Sequence, residues 1–302
     1  MRKKLVLLSA MAILPAAVMA ESATVSGFAD ITHTYDADQS VFGATAEVDF
    51  ANKMDNVSVR VDTDLNLLGD SATIEQAFFA FSATKNITIL GGAFNNPIGM
   101  EKEDAPDMPA ISKGQIWGVL DNQTALNGNN VAGIAAAAGV GPATITVGAL
   151  NDINHADLEK NSFALVANVT PMKDLDLELG YVTSEGAAGN VMDVNVAYSI
   201  AGAMVTLDYL KPDDVIDSSM EVGLGYAVTP KIGAYVRYGA TAYAAGGDDA
   251  NSITVYGSYK LASNLSVAAE YYTSNLVDKT NPIIGTQEDD NAMFGLEFIA
   301  TF

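Results

Sequence analysis

Apolar and polar residues alternate along most of the chain, in short segments separated by turn residues. Near the C-terminal end, Phe294, Leu296, Phe298, Ala300 and Phe302 share one parity, and Gly295, Glu297 and Thr301 fall on the other. In a strand, this places apolar groups on one face and small or polar groups on the opposite one. The same alternation runs through Val57, Val59 and Val61, through Leu175, Leu177 and Leu179, and through Val222, Leu224, Tyr226 and Val228. No helical period of useful length competes with it. The pattern predicts strands over 23–35, 41–51, 56–67, 72–82, 86–94, 130–138, 142–150 and 161–170. It continues over 174–184, 190–200, 203–210, 219–229, 231–240, 251–261, 264–274 and 291–302, sixteen in all.

Alternation alone suits a soluble sandwich as well as a membrane barrel, but the connections separate the two. Short turns at 52–55, 83–85, 139–141, 171–173, 201–202, 229–230 and 262–263 alternate with longer links such as 151–160, 211–218, 241–250 and 275–290. Tight turns on one rim and longer loops on the other mark a transmembrane barrel. The uncharged run 131–150 is long enough for a membrane helix. Gly139-Val140-Gly141-Pro142 at its centre supplies turn geometry and breaks a helix, so two strands are expected there. The fold class expected is all-β: an antiparallel up-and-down transmembrane barrel of about sixteen strands.

Residues 1–20 read as a secretory signal. Arg2, Lys3 and Lys4 precede an apolar stretch, Pro15 interrupts it, and Val18-Met19-Ala20 gives the small-residue cleavage pattern. The mature barrel is then expected over 21–302, in the outer membrane of a Gram-negative bacterium. Cysteine is absent, which excludes disulfides and thiolate sites. The formal charge is −22. Without the three basic residues of the signal, twelve basic residues face 37 acidic ones, or −25. Nucleic-acid binding requires basic surface to displace counterions, so it is not expected. Acidity of this degree suits a path for cations or a surface bridged by divalent ions.

One connection stands apart. Residues 95–129 form by far the longest link, and long loops in compact domains are usually functional. It opens with Gly91-Gly92-Ala93-Phe94-Asn95-Asn96-Pro97-Ile98-Gly99-Met100-Glu101 and carries Lys102, Glu103, Asp104, Asp107 and the single tryptophan, Trp117. Here the chain resembles the Gram-negative porin superfamily, whose third outer loop follows the fifth strand, folds inward and narrows the pore. The resemblance implies a constriction built on Glu101, Glu103, Asp104 and Asp107, the other reading of these acids being a solvated surface loop. Pore-wall residues would include Arg60, Arg237, Asp176 and Glu178. It also implies a homotrimer, contact with outer-membrane lipid and lipopolysaccharide, and recognition of the terminal strand and Phe302 by the barrel-assembly machinery. Two departures count: Ala300 replaces a common Tyr, and the wall lacks the arginine row of general-diffusion porins. Arg60 and Arg237 are the only arginines beyond residue 20. They can serve as wall charges or as structural partners of nearby acids such as Glu47, Asp49, Asp193, Asp208, Glu221 and Glu270.

Candidate catalytic chemistry is sparse. His155 lies in a loop sequence, and His33 falls on the apolar parity with Ile31 and Tyr35. Neither has a serine placed after it at the close spacing that would suggest a nucleophile–base pair. No phosphate cradle or zinc-protease motif occurs, and no cofactor or resident metal is expected. Asp213-Asp214, Asp248-Asp249 and Asp289-Asp290 do not match a calcium-loop spacing. The expected function is passive diffusion of small hydrophilic solutes and ions, with cations preferred and no enzymatic step. A structural or adhesive barrel with a plugged lumen remains the alternative.

Overall fold

The computed structural model describes residues 23–36, 40–66, 71–123, 129–151, 153, 160–184, 189–213, 216–244, 249–275 and 291–302. The signal expected at 1–20 lies outside them, as do His155, Asp214, Asp248, Asp289 and Asp290. Sixteen strands follow one another. They are β1 (Thr24–Tyr35), β2 (Ser40–Met54), β3 (Val57–Asn66), β4 (Ser71–Thr84), β5 (Ile87–Asn95), β6 (Asn130–Val140), β7 (Ala143–Asn151) and β8 (Asn161–Met172). The second half comprises β9 (Leu175–Val182), β10 (Val191–Ile200), β11 (Ala203–Pro212), β12 (Ile216–Ala227), β13 (Ile232–Tyr243), β14 (Ala250–Lys260), β15 (Leu265–Ser274) and β16 (Asn291–Thr301).

Every strand pairs antiparallel with its sequence neighbours, and β16 returns to β1 to close the barrel. The closing register sets Phe28 opposite Thr301 and Tyr35 opposite Phe294. The Phe302 amide then donates to the Gly27 carbonyl at 3.0 Å. Gly27 is required at this seam. Its φ is +155°, and a Cβ there would lie 2.1 Å from the Glu47 carbonyl and 2.8 Å from the Phe302 ring. Closure leaves no unpaired edge, which is the condition for a sheet to exist in lipid.

Burial is inverted relative to a soluble sandwich. Phe163, Leu165, Leu179, Leu224, Phe294, Leu296 and Phe298 are exposed, whereas Glu47, Asp62, Asp193, Glu221 and Glu297 are buried. The apolar parity therefore faces outward around the wall, and the acidic parity faces in. A hydrocarbon surround makes this stable, because it keeps each outward Leu or Phe out of water.

The segment between β5 and β6 has two short helical pieces, a 3₁₀ turn at Ala105–Asp107 and α1 at Gln115–Gln123. Pro106 in the first turn pre-sets the 3₁₀ backbone, and Met108 returns to extended geometry to end it. In α1, Ile116, Val119 and Leu120 fall at helical spacing and are all buried. They join Ile98 against inward residues of the wall, including Leu150, Val182, Val191 and Leu210. Full burial of one such Ile or Leu contributes about 1.5–3 kcal/mol. That apolar patch holds the segment to the inner face between β6 and β12.

Candidate functional site

A chain segment inside a barrel has no ladder to satisfy its backbone, so its N–H groups need other acceptors. The wall supplies carboxylates. Asp193 on β10 accepts from the Gly99 amide at 3.3 Å, and Asp208 on β11 from the Met100 amide at 3.2 Å. Glu270 on β15 accepts from Ile111 at 2.7 Å and from Ser112 at 3.0 Å. Glu221 on β12 accepts from the Gln115 backbone amide, and the Gln115 side-chain Oε1 accepts a hydrogen bond from the Thr241 hydroxyl at 2.7 Å. Four wall acids thus act as anchors for the segment through its backbone amides.

Arg237 on β13 completes the anchorage. Its Nη1 meets Glu101 Oε2 at 2.9 Å, and its Nη2 donates to the Ser112 carbonyl at 2.7 Å. The two side chains are 3% and 8% exposed, so Glu101 presents almost no carboxylate to solvent. Glu101 also accepts from the Gly114 amide at 2.7 Å. Gly114 is wedged between two carboxylates: a Cβ there would sit 2.4 Å from Glu221 Oε2 and 2.5 Å from Glu101 Oε2.

Beyond these anchors the segment rises to an acidic apex at 102–107. Glu103 pairs with Lys113 at 3.2 Å, and Lys113 lies 4.6 Å from the Trp117 ring centre. Lys113 also donates to the carbonyls of Lys102 and Glu103. Burial pushes the Glu103 carboxyl above the ordinary carboxylate range, with the Lys113 charge pulling it back. Burial also raises Asp104, against the lowering effect of Arg60, while Asp107 and Asp49 push it further up. Lys102 is lowered by burial, and Asp107, Asp104 and Glu178 oppose that shift. Asp107 is exposed. Asp104 lies within electrostatic reach of Asp49 on β2 and Arg60 on β3.

That wall is densely acidic. Glu47 and Asp49 on β2 lie directly across from Asp64 and Asp62 on β3. Arg60 donates to the Asp62 carboxylate at 2.7 Å and approaches Asp49 at 3.4 Å. Glu75 on β4 joins them from a bulge, where the pairing steps from Asp62–Gln76 to Thr63–Ile74 and leaves Glu75 without a cross-strand partner. A bulge of this kind re-aims a side chain, here into the lumen beside Gln76.

The sequence-expected residues thus divide. Glu103, Asp104 and Asp107 gather at the apex, and Arg60 faces them from the wall. Glu101 and Arg237 are joined as an anchoring ion pair on the far side. Glu178 accepts from Asn195 at 3.1 Å beside Asp193. Asp176 takes the Thr170 hydroxyl at 2.7 Å near the β8–β9 turn and is not brought to the apex. Asp62 lies on the polar side of the alternation through Val57, Val59 and Val61, whereas Asp64 and Glu75 are not among the acids that the sequence reading assigns to the lumen. Asp62 and Asp64 share the parity of Arg60, and the consecutive polar pair Glu75-Gln76 is the sequence sign of the bulge. His33 stacks on Phe42 at 4.4 Å and contacts the Ser40 hydroxyl at 3.0 Å, on the outward face.

A closed sixteen-stranded barrel with an apolar outer belt and an acidic interior defines an integral outer-membrane β-barrel protein. The chain belongs to the Gram-negative porin family, whose model matches residues 7–279. No curated protein matches it in sequence. Among solved structures it is similar to OprB of Pseudomonas putida, at 11% identity and a TM-score of 0.68, covering 93% of this chain and 94% of that one. A porin variant from Rh. blastica gives 14% identity and a TM-score of 0.62, covering 93% and 100%. The trimer form of OmpT, an outer-membrane protein of Vibrio cholerae, gives 14% and 0.63, covering 93% and 99%. At these identities the likeness shows the fold, which is that of outer-membrane barrels.

Proposed function

We propose that this porin is a water-filled channel for small hydrophilic solutes and ions, with a preference for cations. Residues 95–129 form its constriction, and residues 1–20 are the export signal removed from the mature protein. A barrel of sixteen strands is wide enough for an aqueous lumen. The observation that carries the reading is the apex of acids, Glu103, Asp104 and Asp107, set opposite the acidic wall of β2–β4. Clustered carboxylates lower the energy of a cation in a pore and raise that of an anion. The pathway needs no chemical step, so transport is passive and the protein is not an enzyme.

The Arg237–Glu101 pair and the four anchoring wall acids serve to hold the constriction, while the apex acids set selectivity. A homotrimer fits this account, as the trimer form of the Vibrio cholerae protein illustrates for a similar fold. Lipid and lipopolysaccharide would cover the outer belt, and the barrel-assembly machinery would engage β16 with Phe302. Replacing Glu103, Asp104 and Asp107 together with their amides tests the division of roles. The cation preference in a KCl gradient should fall while the barrel stays folded and heat-modifiable. Unchanged selectivity in the folded variant would remove these acids from the ion path.

A further inference from the structure

We propose that Glu47, Asp64 and Glu75 form a binding site for a hard divalent cation of the Ca²⁺ class on the inner wall of the barrel. One carboxylate oxygen from each lies within 4.8 Å of the others. Oxygens bound to one Ca²⁺ at 2.3–2.6 Å stand at most about 5 Å apart, so the spacing needs little adjustment. A neighbouring trio, Glu47, Asp49 and Asp62, shares Glu47 and meets the same spacing. Arg60 already pairs with Asp49 and Asp62, which favours the Glu47–Asp64–Glu75 trio as the cation position.

Glu75 supplies the independent sign of a missing partner. It is 1% exposed, its Oε1 accepts from Asn130 at 3.2 Å, and its Oε2 is buried with no hydrogen-bond partner. A buried, unsatisfied carboxylate oxygen carries a large desolvation cost unless a cation or donor meets it. The bulge in β4 places that side chain in the cluster, where a regular strand would turn it outward. Like charges directly across a strand pair are destabilising, yet Glu47 faces Asp64 and Asp49 faces Asp62. A bound divalent ion offsets that repulsion. The donor set is all oxygen, which favours Ca²⁺, Mg²⁺ or Mn²⁺ over softer metals.

The site stands on ligand geometry, and its binding is measured without conduction, so it succeeds or fails independently of the selectivity proposed above. Folded barrel in detergent, stripped with EDTA, is titrated with CaCl₂ by calorimetry in KCl buffer. The wild type should bind one Ca²⁺ per chain saturably, and Asp217→Asn on the exposed rim should bind alike. Glu75→Gln and Glu47→Gln should each weaken binding at least about tenfold while remaining heat-modifiable. Should Glu75→Gln fail to fold, Glu47→Gln and the wild-type titration still decide the matter. Absence of saturable Ca²⁺ binding by the wild type, or wild-type affinity in the folded carboxamide variants, overturns the site.

Discussion

Arg237 concentrates the energetics of the interior in one side chain. It is almost fully buried, and it meets Glu101 and the Ser112 carbonyl together. Breaking a buried ion pair by removing one partner costs about 3–5 kcal/mol, because the other charge is left uncompensated. Arg237→Ala should therefore release residues 101–115 from the wall without opening the strand ladder. Limited proteolysis should cut within 101–115 in the folded variant and spare the wild type. Glu103 and Asp104 give the second prediction at this scale. Burial raises both carboxyls, so they take up protons at higher pH than free carboxylates do. Their contribution to the docked segment is full below the ordinary carboxylate range and is lost as pH rises through their elevated folded values. Their negative charge behaves oppositely for transport. Cation preference should decline as pH falls, beginning above the pH at which ordinary Asp and Glu titrate, and reversal potentials across a pH series read this directly.

At the scale of elements, all sixteen strands are where the alternation put them, with ends within three residues of the observed ones. The period of two is strong because both faces are committed, one to lipid and one to the lumen. The uncharged run 131–150 is indeed two strands, β6 and β7, with Gly141 at φ +63° in the turn between them. Helix α1 was not legible. Its apolar spacing spans a single turn, Ile116, Val119 and Leu120, and its support comes from wall residues distant in sequence. The bulge at Glu75 leaves only the consecutive polar pair Glu75-Gln76 as its mark in the sequence, since register depends on which residues face each other across strands. The seam between β1, β2 and β16 yields a prediction. Gly27→Ala forces a Cβ to within 2.1 Å of the Glu47 carbonyl, in a region of φ that disfavours side chains. The β1–β2 pairing must part locally, so the heat-modifiability transition should move to lower temperature, whereas Ala29→Gly, one turn of the pleat away, should move it far less.

For the whole molecule, the proposed division between a scaffold and a charged path would account for the excess of acids over basic residues. Some acids hold the inner segment through its backbone amides: Asp193, Asp208, Glu221 and Glu270. Others, at the apex and on β2–β4, are the ones proposed to shape the potential of the lumen. The composition showed the excess of charge, but not this separation of duties, because the anchoring contacts join residues between 94 and 159 positions apart in the chain. Screening acts over about 8 Å at physiological ionic strength, so selectivity carried by partly exposed acids should weaken as salt rises. The most direct measurement is the zero-current potential of the wild-type protein in a planar bilayer, under a KCl gradient of low overall ionic strength. Discrete conductance steps with a potential of the sign set by K⁺ permeation, shrinking at higher salt, are the result expected. A folded barrel that inserts yet conducts nothing, or one whose potential follows Cl⁻, would contradict the account.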